Sequence, residues 1–125
     1  MKKTILFSLF VLFSAAAVNA QLTDTKWRNI MNIPDPYETI LHFKKDTVVL
    51  TIAADGSLIE TMNFTISKDT LKLIKLSGMS PCADNITGLY KIEIKDDKMT
   101  IVPLSDDCSE RANAFKPEPW IKEKG

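Results

Sequence analysis

The sequence predicts an all-β protein, a small antiparallel up-and-down β-barrel of about eight strands with a short helical segment before the last strand. Between residues 38 and 104, β-branched and aliphatic runs alternate with short polar turns. Within each run, apolar residues recur at every second position, the period of a strand with one buried face. The connections are too short for crossover helices, so neighbouring strands must run antiparallel.

Six candidate strands form the central meander, and the Asp55-Gly56 pair marks its clearest turn because glycine accepts positive φ without steric cost. These strands are Thr39–Lys44, Thr47–Ala53, Ser57–Ile66, Thr70–Leu76, Gly88–Ile94 and Met99–Leu104. A first strand over Thr25–Ile33, a helical segment over Asp106–Phe115 and a last strand at Trp120–Ile121 flank them. Closure into a barrel removes both exposed edges, and a two-sheet sandwich is the alternative architecture.

The N-terminus has the three parts of a secretory signal. Two lysines precede an apolar run over residues 5–18, and small residues lead up to Ala20. The run is shorter than the roughly 20 apolar residues that a membrane-spanning helix needs. We therefore expect residues 1–20 to be a signal peptide cleaved near Ala20, and residues 21–125 to be a single periplasmic or secreted domain. Because Gln21 rather than a cysteine follows, we expect no stable membrane anchor.

Charge argues against a nucleic-acid partner. The chain has 16 basic and 16 acidic residues, and the predicted signal peptide contains two of the lysines and no acid. The predicted mature protein therefore has a net charge of −2, whereas nucleic-acid binders normally carry a strong basic excess. We expect a monomer that binds no nucleic acid.

Both cysteines, Cys82 and Cys108, lie in the predicted exported part, where disulfides form readily. Only one intramolecular pairing exists, and it closes a loop of about 27 residues that stabilises the fold by roughly 3 to 4 kcal/mol. Two free thiols or an intermolecular bridge are the alternatives. We expect the Cys82–Cys108 disulfide.

Alternation assigns an inward face to each strand, and one acid falls on such a face. The inward residues are Val48, Leu50 and Ile52, then Leu58, Met62, Phe64 and Ile66, then Tyr90, Ile92 and Ile94. Glu60 lies in register with Leu58 and Met62. Since an unpaired buried carboxylate is costly, Glu60 must be paired, lie at the barrel mouth, or be displaced by a β-bulge.

A polar group inside an apolar barrel can also fix the orientation of a ligand. Glu60 and the hydroxyl of Tyr90 are the two candidates for that role. Met62 and Phe64, on the same face, either fill the core or line a pocket. These four residues are the predicted ligand-binding set.

No catalytic or metal-binding arrangement is visible. His42 is the only histidine, and it points away from its apolar neighbours on a strand. One histidine and two paired cysteines do not make a zinc site. The acids at Asp96-Asp97 and Asp106-Asp107 lack the spacing of a calcium loop and are interpreted as turn and helix-start residues. We expect no enzyme, no metal and no cofactor.

Trp27 early in the first strand, the meander, and Arg111 after the last long strand together resemble the lipocalin-like members of the calycin superfamily. The resemblance spans nearly the whole mature chain. It implies that Trp27 packs against Arg111 to close the base of the barrel. It also implies that the barrel binds a small hydrophobic ligand.

Two functions follow as hypotheses. The first is a non-catalytic extracytoplasmic binding protein that takes a small hydrophobic or amphipathic ligand into the barrel mouth. The alternative is a protein-interaction or inhibitor-like scaffold with a solid core. In that alternative, function lies in the loop from Ser77 to Thr87, which contains Met79 and is stiffened by the disulfide.

Overall fold

Strand pairing runs in chain order around the molecule, and the last strand pairs with both its predecessor and the first strand. The computed structural model describes residues 21–33 and 35–124, and the predicted signal peptide lies outside them. The elements are β1 Thr25–Asn32, β2 Pro36–Phe43, β3 Thr47–Ile52, β4 Leu58–Ser67, β5 Thr70–Gly78, β6 Thr87–Lys95, β7 Lys98–Asp106, α1 Ser109–Ala114 and β8 Trp120–Lys122. The predicted antiparallel eight-stranded barrel with a short helix before its last strand is confirmed. Within the described ranges, no helix has the length and apolar character needed to cross a bilayer.

The two ends of the barrel differ in how they are closed. The lower end carries the short β2–β3, β4–β5 and β6–β7 turns, together with the start of β1. The upper end carries the β1–β2 and β3–β4 turns, the loop over residues 79–86, and α1. Longer connections at the upper end leave room for a cavity there.

The β3–β4 turn forms where Asp55-Gly56 predicts it. Gly56 has a φ of 74°, and its N–H donates to the Ile52 carbonyl at 2.9 Å. The Asp55 carboxylate accepts from the Ser57 N–H at 2.9 Å. These local bonds fix a turn that any residue with a Cβ would adopt at a steric cost.

A β-bulge in β4 corrects one predicted face. Leu50 pairs with Glu60 and Thr51 pairs with Leu58, so Ile59 is the extra residue. Ile59 is consequently buried, whereas Leu58 is 50% exposed. The prediction that Leu58 points inward is therefore wrong, and Glu60 keeps its predicted inward position.

The lower half of the barrel is filled by large aromatic side chains. Trp27, Phe43, Phe64 and Trp120 are all buried, and the rings of Phe43 and Phe64 meet edge to face with centroids 5.1 Å apart. Leu22, before β1, is fully buried and belongs to the same core. The predicted inward residues Ile66 and Ile94 are partly buried and pack against this core, and Ile52, at the upper end of β3, is also partly buried. These aromatic side chains occupy the interior of this half of the barrel.

The Cys82–Cys108 disulfide is present, as predicted. Both cysteines are buried, and their Cα atoms are 5.6 Å apart. The bond joins the loop after β5 to the residue before α1. It therefore links the two irregular segments that form one wall of the upper end.

Reducing this disulfide is expected to lower the free energy of unfolding by roughly 3 to 4 kcal/mol, because the unfolded chain regains the freedom that a closed loop removes. Urea unfolding of the wild-type protein with and without reductant measures the change, after titration has shown two free thiols. A Cys82→Ser/Cys108→Ser double variant is the control, since its midpoint should not respond to reductant. An equal midpoint for oxidised and fully reduced wild type would contradict the expectation.

Candidate functional site

The upper end of the barrel opens into a cleft of about 950 Å³, here termed the outer cleft. It lies between the β1–β2 turn, the β3–β4 turn, the loop after β5, and α1. Its apolar lining consists of Ile33, Tyr37, Ile52, Ile59, Met79 and Pro81. Two acids, Asp55 and Glu110, also line it, whereas no lysine, arginine or histidine is among its described lining residues. The cleft has the size and apolar character of a small-molecule site.

Beneath the outer cleft is a smaller cavity of about 50 Å³, here termed the inner chamber. The two cavities share Ile33, Ile59, Ser80, Pro81 and Glu110 in their walls and therefore adjoin each other. Further lining comes from apolar side chains inside the barrel and from two charged ones. The apolar ones are Met31, Leu50, Met62, Ala114 and Phe115, and the charged ones are Glu60 and Arg111.

Glu60 is buried beside a cation that pairs with it. The Lys75 Nζ atom lies 3.6 Å from Glu60 Oε1, and both side chains are only 4% exposed. Lys75 also donates to the carbonyls of Ser80 at 3.0 Å and Cys82 at 2.6 Å. The Ser80 hydroxyl donates to Glu60 Oε1. Of the alternatives that the sequence leaves open for Glu60, pairing with a cation is the one that compensates its charge. The β-bulge lies at the neighbouring residue, Ile59.

A second buried ion pair joins the end of β7 to α1. Arg111 donates through Nε to Asp106 Oδ2 at 2.7 Å and through Nη2 to Asp106 Oδ1 at 2.8 Å, which is a two-pronged contact. Arg111 Nη2 also donates to the Ile86 carbonyl at 3.2 Å. Asp106 further accepts from the Tyr90 hydroxyl and from the Cys108 N–H. The carboxylate therefore holds three separate segments of the upper end together.

These contacts set the protonation states of the group. Burial raises the pKa of Asp106, but the hydrogen bonds from Arg111, Tyr90 and the Cys108 N–H outweigh it, and the pKa falls below its ordinary value. Burial lowers the pKa of Arg111, and the hydrogen bond to Asp106 more than reverses this, so the pKa is raised. Burial, followed by the bond to Asp106, raises the pKa of Tyr90. Asp106 and Arg111 are consequently charged and Tyr90 is neutral at physiological pH.

Gly88, the pairing partner of Asp106 on β6, leaves the space that this ion pair needs. A Cβ atom at Gly88 would lie 2.5 Å from Asp106 Oδ2 and 2.9 Å from Arg111 Nη2. Any side chain there would push the two charged groups apart.

The structure divides the four predicted ligand-binding residues into two groups. Glu60 and Met62 line the inner chamber, as the alternation predicts. Tyr90 and Phe64 are not among the described lining residues of either cavity. The Tyr90 hydroxyl is held by Asp106 while its ring packs on Phe115 with centroids 4.8 Å apart, and Phe64 packs on Phe43. Both are core residues, because the Tyr90 hydroxyl and ring and the Phe64 ring already contact other side chains of the protein.

The structure also places the predicted closing pair at opposite ends of the barrel. Trp27 pairs with Lys122 of β8, next to the start of β7, and its indole N–H donates to Thr25 Oγ1 at 2.8 Å. Arg111 is instead bonded to Asp106 at the end of β7. Arg111 therefore belongs to the upper end and helps to form the cavity wall, while Trp27 fills the lower core.

Lys75 is the site residue that the sequence prediction missed, although a signal for it exists. It follows Leu71 and Leu73 at the same period of two, and all three are buried on β5. A lysine at the end of an inward row, opposite a strand with an inward glutamate, is a candidate for a buried ion pair. Asp106, interpreted as a solvated helix-start acid, offers no such signal because β7 extends to it only through a register shift at Leu89 and Tyr90.

Comparison with known proteins identifies no relative of this chain. No protein-family model matches it, and neither the curated proteins nor the solved structures contain a match. The two cavities and the buried charges around them are the observations from which we propose a function below.

Replacing Lys75 by Met is expected to lower the free energy of unfolding by about 3 to 5 kcal/mol, because the buried Glu60 carboxylate loses its cation. Lys72→Met is the matched control, since Lys72 is exposed on the same strand and should change stability by less than about 0.5 kcal/mol. Chemical unfolding of both variants measures the difference. Equal unfolding midpoints for the two variants would show that the buried Glu60 carboxylate is stable without Lys75.

Stability is expected to fall in acid partly through Asp106. A carboxyl whose pKa is lowered on folding stabilises the native state fully above its unfolded value near 3.8, and this contribution is lost as the pH falls through the lowered folded value. Asp106→Asn should therefore be less stable than wild type at neutral pH but lose less further stability in acid. Urea unfolding from neutral pH into acid gives the slope of the unfolding free energy against pH for the wild type and for Asp106→Asn. Asp107→Asn, at the exposed neighbouring position, should keep the wild-type slope, and a wild-type slope in Asp106→Asn would contradict the assignment.

Proposed function

We propose that this chain is a non-catalytic, extracytoplasmic, lipocalin-like binding protein that takes a small hydrophobic or amphipathic ligand at the upper end of its barrel. The observation that carries the proposal is the outer cleft of about 950 Å³ with the inner chamber adjoining it. Concave, mostly apolar sites with a few buried polar groups are the usual form of a small-molecule site. The cleft supplies the apolar surface, and Glu60 with Arg111 supplies the polar groups.

Rigidity of the cleft walls supports the same proposal. One wall is the loop over residues 79–86, which is attached to β5 through Lys75 and to α1 through the Cys82–Cys108 disulfide. The opposite wall is held by the hydrogen bonds of the β3–β4 turn. A site that is formed before binding avoids the entropy cost of ordering its loops, which favours affinity.

The disulfide supports a location outside the cytoplasm. Disulfides persist in oxidising compartments and are rare in the cytosol, and this one is buried and joins two structural segments. It agrees with the signal peptide predicted for residues 1–20. The proposed ligand is therefore one that the protein meets in the periplasm or outside the cell.

The exposed Met79 favours the second candidate function, a protein-interaction or inhibitor-like scaffold. Its side chain is 76% exposed on the loop that the disulfide stiffens. Exposed flexible apolar side chains on stiff loops are suited to contacts with another protein. The loop therefore supplies an alternative use for the same end of the barrel.

The ligand proposal predicts that a neutral apolar fluorophore, N-phenyl-1-naphthylamine, binds the oxidised protein with one site and increased emission. Met79→Asp should weaken this binding roughly fivefold, since about 1 kcal/mol of apolar contact is lost at the cleft wall. Fluorescence titration gives the dissociation constants.

Leu104→Asp is the matched control, because Leu104 is 58% exposed on β7 and is not among the described lining residues of the cleft. Its dissociation constant should equal that of the wild type. Failure of the fluorophore to bind the wild-type protein at all would remove the ligand proposal and leave the scaffold as the better candidate. Equal weakening by both substitutions would show that the fluorophore binds elsewhere on the surface.

A further inference from the structure

One buried hydrogen-bond donor beside the inner chamber has no acceptor. Arg111 is 5% exposed, and two of its three guanidinium nitrogens, Nε and Nη2, are engaged by Asp106 and the Ile86 carbonyl. The third nitrogen, Nη1, is buried and has no hydrogen-bond partner among the described residues. Buried donors in native proteins nearly always have a partner, so this one calls for an acceptor from outside the chain.

The chamber also contains an acceptor with spare capacity. The hydrogen bond that reaches Glu60 comes from Ser80 and goes to Oε1, which is also the oxygen nearest to Lys75. Among the described residues, none donates a hydrogen bond to Glu60 Oε2. A carboxylate has four lone-pair positions, so Glu60 can accept a further hydrogen bond. Glu60 and Arg111 line the same chamber and thus offer it one acceptor and one donor.

Size restricts what can use both groups. A volume of about 50 Å³ holds a few water-sized atoms at most. It excludes a sugar or a phosphodiester headgroup and admits a single small group, such as a hydroxyl, that enters from the outer cleft. The much larger outer cleft must then hold the remaining part of the molecule.

Charge restricts the group further. The Glu60 and Lys75 charges already compensate each other, as do those of Asp106 and Arg111. Glu110, the third charged residue in the chamber wall, is exposed to solvent. An entering carboxylate would therefore add an uncompensated negative charge next to Glu60, and it would pass Asp55 and Glu110 in the outer cleft. An entering ammonium would lie against Arg111. A neutral group avoids both costs.

We propose that the ligand is a neutral, hydroxyl-headed amphiphile, whose hydroxyl enters the inner chamber, donates to Glu60 and accepts from Arg111 Nη1, while its apolar part lies in the outer cleft. This inference rests on the proposed ligand-binding function. A hydroxyl is the smallest group that is both donor and acceptor. It completes the hydrogen bonding of both residues without changing the charge of the chamber.

Three ligands that share a ten-carbon chain and differ in their polar head group test the proposed hydroxyl head. They are used with the wild-type protein, so that no substitution can disturb folding. Decanol can donate and accept, decyl methyl ether can only accept, and decanoate is ionised at neutral pH. Each competes with N-phenyl-1-naphthylamine in a fluorescence titration. Decanol should bind about tenfold or more tightly than the ether, which cannot donate to the charged Glu60. The affinity of decanol should exceed that of decanoate by a larger factor still.

The outcomes separate the two proposals. Similar affinities for all three ligands would overturn the hydroxyl-headed ligand but leave apolar ligand binding intact. Tightest binding of decanoate would equally overturn the neutral head. Failure of the fluorophore and of every ligand to bind would remove the proposed function itself, and with it this inference.

A conservative pair of variants assigns the preference to the chamber. Glu60→Gln should reduce the preference for decanol over the ether, because the charged acceptor is lost, and should reduce the disadvantage of decanoate. Asp55→Asn removes one charge from a residue that lines the outer cleft and is not among the described lining residues of the inner chamber, so the ratio of decanol to ether should stay at its wild-type value. Circular dichroism establishes that both variants are folded. An unchanged ratio in folded Glu60→Gln would overturn the assignment of Glu60.

Discussion

Two carboxylate–cation pairs are buried at the upper end of the barrel, and each charge needs its partner because a lone ion in the protein interior is unstable. The disulfide joins the segments that supply those partners. The carbonyl at one of its cysteines accepts from Lys75, and the N–H at the other donates to Asp106. A shift of the loop over residues 79–86 or of α1 would therefore weaken an ion pair and be opposed by the covalent link. The cleft between these segments has fixed walls for this reason.

Stability alone does not explain why charged residues occupy these positions. Replacing a buried ion pair by apolar side chains of similar volume is often neutral or stabilising. Here the pairs also leave one oxygen of Glu60 and one nitrogen of Arg111 without a hydrogen-bond partner among the described residues, and both residues line the inner chamber. A fully apolar arrangement would give up these two groups. In the proposed function, these two groups recognise the head of the ligand.

Period-two hydrophobicity was sufficient to predict the strands, their antiparallel order and the closed barrel, since it reflects burial of one face. It failed where backbone geometry breaks the period, as at Ile59, whose bulge turns Leu58 outward. The alternation placed Tyr90 inside correctly but did not show that Asp106 already occupies its hydroxyl. Such a pairing depends on the register between strands, which a single sequence does not specify. The resemblance did not indicate that Arg111 pairs with Asp106, because that contact is set by where β7 ends.

The two functions left open by the sequence assumed either a hollow or a solid barrel, and the structure contains one half of each kind. Tryptophan and phenylalanine side chains fill the lower half, as expected for a small barrel whose interior is about as wide as its own side chains. The upper half has aliphatic side chains, methionines and the two ion pairs around its cavities. In the proposed function, a ligand enters as far as the inner chamber, which Glu60 and Arg111 line together with apolar side chains. In the proposed function, Glu60 and Arg111 contact only the leading group of a molecule, and the open cleft leaves the length of its apolar part free to vary.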